Sequence, residues 1–109
     1  MSLFAITREA GTAWTAGGIF DQPALDEHAS FMNALADEGF LRLAGPLAQS
    51  EEGHARILLI VEAESEAEIH RRLAPDPWTR AGLLVIVGVE EWNVIVGGER
   101  LAPHRVATS

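Results

Sequence analysis

Two stretches of this 109-residue chain, "ILLIV" at 57–61 and "LLVIVGV" at 83–89, are apolar at nearly every position. Successive side chains of a strand point to opposite faces, so each run turns oily residues to both sides of any sheet it joins. A chain this short makes one compact domain, not two. If its helices cover one side of the sheet, too few residues remain to cover the other. A second copy packed face to face is the simplest cover. At about 25 cal/mol per Å² of apolar area, an interface of ordinary size outweighs its ordering costs. The pattern therefore predicts a homodimer.

The remaining elements place those runs. "LFAITR" (3–8) suits a first strand. "EAGTAWTAGGIFDQ" (9–22) is glycine-rich and without periodicity, which predicts a long loop of the kind that is usually functional or mobile. Pro23 stands where a helix opens, since its missing N–H needs no partner there. That helix is expected to run to about Glu38 and stop at Gly39. "FLRLA" (40–44) and "ARILLIVEA" (55–63) read as a hairpin joined by the turn "GPLAQSEEGH". Ser65 and Glu68 have capping-box spacing and open a second helix, with Ile69 and Leu73 inward, that ends before Pro75. "PDPWTRAG" is a connector with room for one helical turn. A last strand occupies 83–96, bent near Gly88. Residues 1–97 form the single domain, and 98–109 read as a flexible tail. The order strand, helix, strand, strand, helix, strand predicts an α+β, ferredoxin-like βαββαβ fold: a four-stranded antiparallel sheet with two helices on one face.

Winding residues 25–38 at about 100° each separates two faces. Leu25, His28, Ala29, Phe31, Met32, Leu35 and Ala36 share one side; Asp26, Glu27, Ser30, Asn33, Asp37 and Glu38 share the other. His28 thus points toward whatever this helix packs against. Composition narrows the remaining choices. The net charge of −8, with scattered arginines as the only basic side chains, disfavours nucleic acid. No run of about 18 uncharged apolar residues exists to span a membrane. With no cysteine there are no disulfides and no thiolate nucleophiles or metal ligands, which fits a cytoplasmic protein. His54, His70 and His104 are far apart, and no HExxH, P-loop or dinucleotide motif occurs, so neither a metal nor another cofactor is expected.

The helix histidine in "DEHASFMNALADEGF", the "GPL" after the second strand, "DPW", and the "LFAITREAG" opening with Trp14 resemble the YciI-like (YCII-related) family. The resemblance runs from about Leu3 to about Val96. It implies the dimeric α+β barrel fold, shared with muconolactone isomerase and antibiotic-biosynthesis-type monooxygenases. It also implies an enzyme-like pocket holding a His–Asp pair, here His28 and Asp76; a few relatives eliminate hydrogen chloride from chlorinated aromatic metabolites. Fold kinship by itself names no reaction.

Each candidate residue has a functional and a plain reading. If His28 and Asp76 meet, the carboxylate sets the imidazole tautomer and the other ring nitrogen can move a proton. Otherwise His28 is a packed histidine on a backbone carbonyl, and Asp76 caps the turn before Pro77. Gly45 and Pro46 form a turn after a strand or a wall of the pocket. Trp14 and Trp78 suit either a core or a ligand wall, and Trp92 suits a dimer interface. Arg8 either holds an anionic substrate or pairs with a carboxylate. Three readings follow, the last being a purely structural dimer of the same fold with its pocket filled. The first is a small cofactor-free enzyme of proton-transfer type (an isomerase, a lyase or dehalogenase, or a hydrolase) acting on a small organic metabolite. The second is a non-catalytic dimeric module that binds such a molecule.

Overall fold

The computed structural model describes residues 1–48 and 54–102. Seven main elements follow one another: β1 (Ser2–Ala10), α1 (Leu25–Asp37), β2 (Leu41–Pro46), β3 (Arg56–Ala63), α2 (Glu66–Leu73), α3 (Pro77–Arg80) and β4 (Leu84–Trp92). The strands form one antiparallel sheet in the order β2-β3-β1-β4, the ferredoxin-like arrangement expected from the sequence. Most of the turn between β2 and β3, and the end of the tail with His104, lie outside the described residues.

Strand register sorts the side chains. Phe4, Ile6 and Arg8 of β1 stand opposite Val61, Leu59 and Ile57 of β3, and all six are buried on the helix side. Leu35 of α1, Ile69 and Leu73 of α2 and Trp78 of α3 close over them. Full burial of a residue such as Ile6 or Leu59 stabilises the fold by about 1.5–3 kcal/mol. On the opposite face Leu43, Val85, Val87 and Trp92 remain exposed, while Ile60 is buried. The segment after β4 returns to the far edge of the sheet, where Arg42 of β2 donates to the Leu101 carbonyl.

Helix ends follow their local chemistry, with one departure. Ser65 caps α2, its Oγ accepting from the Glu68 N–H. Gly39 ends α1 in the left-handed conformation, with φ of 86°, which a glycine adopts without strain. Pro23, however, does not open α1. The helix starts at Leu25, and its N-cap is Ala24, left-handed at φ 59°. The Pro23 carbonyl is held outside the helix by the Trp78 indole N–H, at 2.7 Å. That anchor displaces the helix start by two residues and leaves Ala24 in a conformation costing an alanine roughly 1–2 kcal/mol.

Two further departures bear on the site. Gly45 and Pro46 are not a turn: they are the last residues of β2, paired with Leu58 and Ile57. β2 is an edge strand, where proline's lack of an N–H leaves no ladder bond broken. The bend near Gly88 is a register slip: Thr7 faces Gly88 while Arg8 faces Ile86, so Val87 is extra. The inserted residue lets Ile86, opposite Arg8, and Val89, opposite Ile6, both face the helices although they are three apart. At Gly11 a Cβ would collide with the Gly82 carbonyl oxygen, so the end of β1 and the turn before β4 fit together only around a glycine.

Candidate active site

Asp76 organises the site. It lies between two prolines and is extended (φ −56°, ψ 126°), as a residue before proline must be. Pro77 takes the first position of α3, and the Asp76 carboxylate caps that helix by accepting the Trp78 backbone N–H at 3.1 Å. The same oxygen, Oδ1, also meets His28 Nδ1 at 2.8 Å. The turn-capping reading and the histidine-pairing reading are thus both true of one carboxylate. Its other oxygen, Oδ2, lies 3.0 Å from Arg8 Nη2, a charge pair without aligned hydrogen-bond geometry.

Asp76 is wholly buried and Arg8 nearly so, at 1% exposure. Burial pushes the Asp76 carboxyl up. The hydrogen bond and charge of His28, the Trp78 N–H and the Arg8 charge outweigh burial and hold it below the ordinary carboxylate value. Burial presses the Arg8 guanidinium below its usual value, opposed by the charge of the Asp76 carboxylate. Asp76 is therefore an anion at neutral pH and accepts only, so the His28 nitrogen that faces it, Nδ1, carries a hydrogen. Its Nε2 has no partner among the described residues.

Ring packing fixes the imidazole plane. His28 lies flat on Trp78, with centroids 3.9 Å apart and planes 4° from parallel. Trp78 is itself held by Pro23 and by the edge of Trp14, whose ring centroid is 6.0 Å away at 80°. As the helical winding implied, His28 sits on the inward stripe of α1, mostly covered.

A cavity of about 220 Å³ opens between α1, β2 and the sheet. Arg8, His28, Gly45, Pro46 and Trp78 line it, with apolar neighbours such as Met32 and Ile57. Roughly 150 Å³ is enough for a benzene ring, so the space suits one substituted ring and excludes a dinucleotide or a polymer. Trp14 is not in this wall. It lines an adjoining open groove of about 630 Å³ with Gly17, Gly18 and Asp21. The groove is larger, but the one acidic side chain lining it among the described residues, Asp21, is turned back to accept the Gly18 N–H. Arg8 and His28 line the smaller space and not the groove.

Thr79 and Gln22 gave no signal in the sequence. Thr79 Oγ1 accepts from Arg8 Nη2 at 2.7 Å. Gln22, 5% exposed, pins the loop by accepting the Thr15 N–H and donating to the carbonyls of Thr15 and Gly18. A buried glutamine in a loop looks like any other polar loop residue until the chain has closed around it. Trp92 lies on the exposed sheet face, and His70 pairs with Glu66 on the surface of α2. His54 is also exposed. Among the described residues, no three His, Asp or Glu side chains gather as metal ligands would.

The chain resembles one structure in particular, 5-chloro-2-hydroxyhydroquinone dehydrochlorinase (TftG) from Burkholderia phenoliruptrix AC1100 in complex with 2,5-dihydroxybenzoquinone. Identity is 28% and the TM-score 0.56, over 84% of this chain and 93% of that one. That neighbour is of the dimeric α+β barrel superfamily. No protein of curated function matches the chain. The YCII-related domain model matches residues 9–93, most of the chain and all of the pocket residues except Arg8, and the chain belongs to that family.

Proposed function

We propose that the protein is a small enzyme of proton-transfer type that acts on a single-ring or similarly small organic metabolite, with His28 as general base and acid and Asp76 as its orienting partner. One observation carries this reading: His28 Nδ1 is tied to a buried carboxylate while the ring itself lines a cavity and leaves Nε2 unpartnered. A group placed this way takes a proton from a bound molecule and returns it elsewhere, with Asp76 compensating the charge the ring acquires. Proton transfer of this kind needs only side chains. Positioned acid–base groups contribute typically 10²–10⁴-fold in rate.

Elimination is the reaction to test first. The similar structure is that of a dehydrochlorinase holding a hydroxylated quinone, and loss of HCl from a hydroxylated ring is a proton transfer with expulsion of chloride. Gly45, Pro46 and Trp78 would form the walls against the ring, and Trp14 would brace Trp78 from behind. The exposed apolar face of the sheet supports a homodimer as the working unit, since Leu43, Val85, Val87 and Trp92 need a cover.

Thermal-shift screening against 2,5-dihydroxybenzoquinone, small aromatic acids and lactones identifies ligands. Chloride release from 5-chloro-2-hydroxyhydroquinone then tests turnover. The expected result is stabilisation by at least one hydroxylated ring and chloride release above the uncatalysed rate. Binding with no turnover of any ligand found would make the protein a binding module instead.

A further inference from the structure

The loop between β1 and α1 is long, yet hydrogen bonds close it on itself. Gln22, buried at its end, accepts from the N–H and the hydroxyl of Thr15 and donates to the carbonyls of Thr15 and Gly18. The Trp14 indole donates to the Gly17 carbonyl, and Asp21 accepts the Gly18 N–H. This bonding shapes one short turn, Ile19–Asp21, whose first two side chains part company. Ile19 packs against the core, while Phe20 stays 82% exposed.

Those two neighbours border two spaces. Ile19 and Pro46 line both the His28 cavity and the adjoining groove, so the spaces meet along that pair. Trp14, Phe20 and Leu47 belong to the groove alone. Asp21 is the one charged side chain lining the groove among the described residues. An apolar group lying there gains two aromatic rings as neighbours. An anion would meet a carboxylate, on a chain whose net charge is already −8.

We infer that the groove is a second subsite, which takes an uncharged apolar arm of the molecule whose ring lies in the His28 cavity. This rests on the reading of that cavity as the reacting site. Ile19 and Pro46 then determine specificity, because ring and arm join between them, and Phe20 and Trp14 hold the arm. Volume fits the division: about 220 Å³ admits one ring, and about 630 Å³ leaves room for an arm of ring size or larger. The ligand class is a ring that carries an aryl or branched alkyl substituent, in preference to a bare ring. A loop already fixed by its own bonds has little ordering left to lose when the ligand arrives, so burial of the arm is expressed as affinity.

Phenol and 4-phenylphenol test this, since they share one ring and one hydroxyl and differ by an aryl arm. 4′-Hydroxybiphenyl-4-carboxylate adds an anion to that arm. By calorimetry, the wild type should bind 4-phenylphenol at least about tenfold more tightly than phenol, and the carboxylate at least about tenfold more weakly than 4-phenylphenol. Phe20→Ala removes a ring that the core does not use, and should cut the 4-phenylphenol advantage by about threefold or more. A wild-type advantage below about twofold, or an advantage unchanged in Phe20→Ala, overturns the inference. Sedimentation showing that Phe20→Ala weakens association would assign the groove to a contact between copies and overturn it as well. The two readings fail separately. Turnover of 5-chloro-2-hydroxyhydroquinone that is lost in His28→Ala, with no advantage for the arm, removes the subsite and leaves the role of His28. An arm advantage that depends on Phe20, with no turnover of any ligand, does the reverse.

Discussion

The two faces of the sheet carry opposite chemistry to what their exposure suggests. On the helix-covered side, a guanidinium, a carboxylate and an imidazole form one chain of contacts beside the cavity. The open face presents Leu43, Val85, Val87 and Trp92 to solvent. Buried charges are retained at a cost, because hydrophobic packing of the same volume is often as stable or more so. Exposed oil is likewise a cost that a lone subunit has no reason to bear. On the proposed function the inner face serves chemistry and the outer face association, and substitutions on the two should then fail in different ways.

The largest effect on stability is expected inside. Asp76→Ala strands the Arg8 guanidinium without its partner and uncaps α3, and should cost about 3–5 kcal/mol in urea unfolding. A loss below about 1 kcal/mol would mean that the ion pair is not made in solution. The same carboxylate sets a pH dependence. Its folded value lies below its unfolded value of 3.8, so its contribution is complete above about pH 4 and fades as pH falls through the lowered folded value. Compared across that window, wild type should lose its advantage over Asp76→Asn on acidification. An advantage that grows instead would contradict the assigned direction.

On the outer face a smaller effect of another kind is expected. Val87→Glu would put an unpaired carboxylate into the proposed dimer interface, weakening association by about 2–3 kcal/mol while leaving the fold of each subunit intact. Sedimentation of both forms over a range of concentrations reads this directly, and a wild type that stays monomeric at micromolar concentration removes the dimer. The least effect should come from between the faces, at the entry to α1. Ala24→Gly relieves the left-handed strain at φ 59° and should raise stability by up to about 1 kcal/mol. A destabilised variant would show that the backbone there is not strained.

How much of this was legible in the sequence differs between the faces as well. The inward stripe of α1 and the apolar runs of β3 and β4 follow from local periodicity, and with them the position of His28. The Ser65 cap and the Gly39 stop are local too. What stayed hidden depends on contacts distant in sequence. The start of α1 is set by the Trp78 indole holding the Pro23 carbonyl, 55 positions apart. Pro46 could join a strand only because β2 lies at the sheet edge. In the sequence Arg8 reads as an ion-pair partner, with sixteen acidic side chains available, ahead of a substrate contact. The structure places it against Asp76 and in the cavity wall together, which no spacing within the chain encodes.

The most direct test of the site is a comparison of wild type with His28→Ala, reading chloride release from 5-chloro-2-hydroxyhydroquinone together with affinity for 2,5-dihydroxybenzoquinone. The expected outcome is a loss of turnover of about 10²–10⁴-fold with affinity kept within about threefold. Equal turnover in the two proteins, or binding by both with release by neither, would contradict a proton-transfer role for His28.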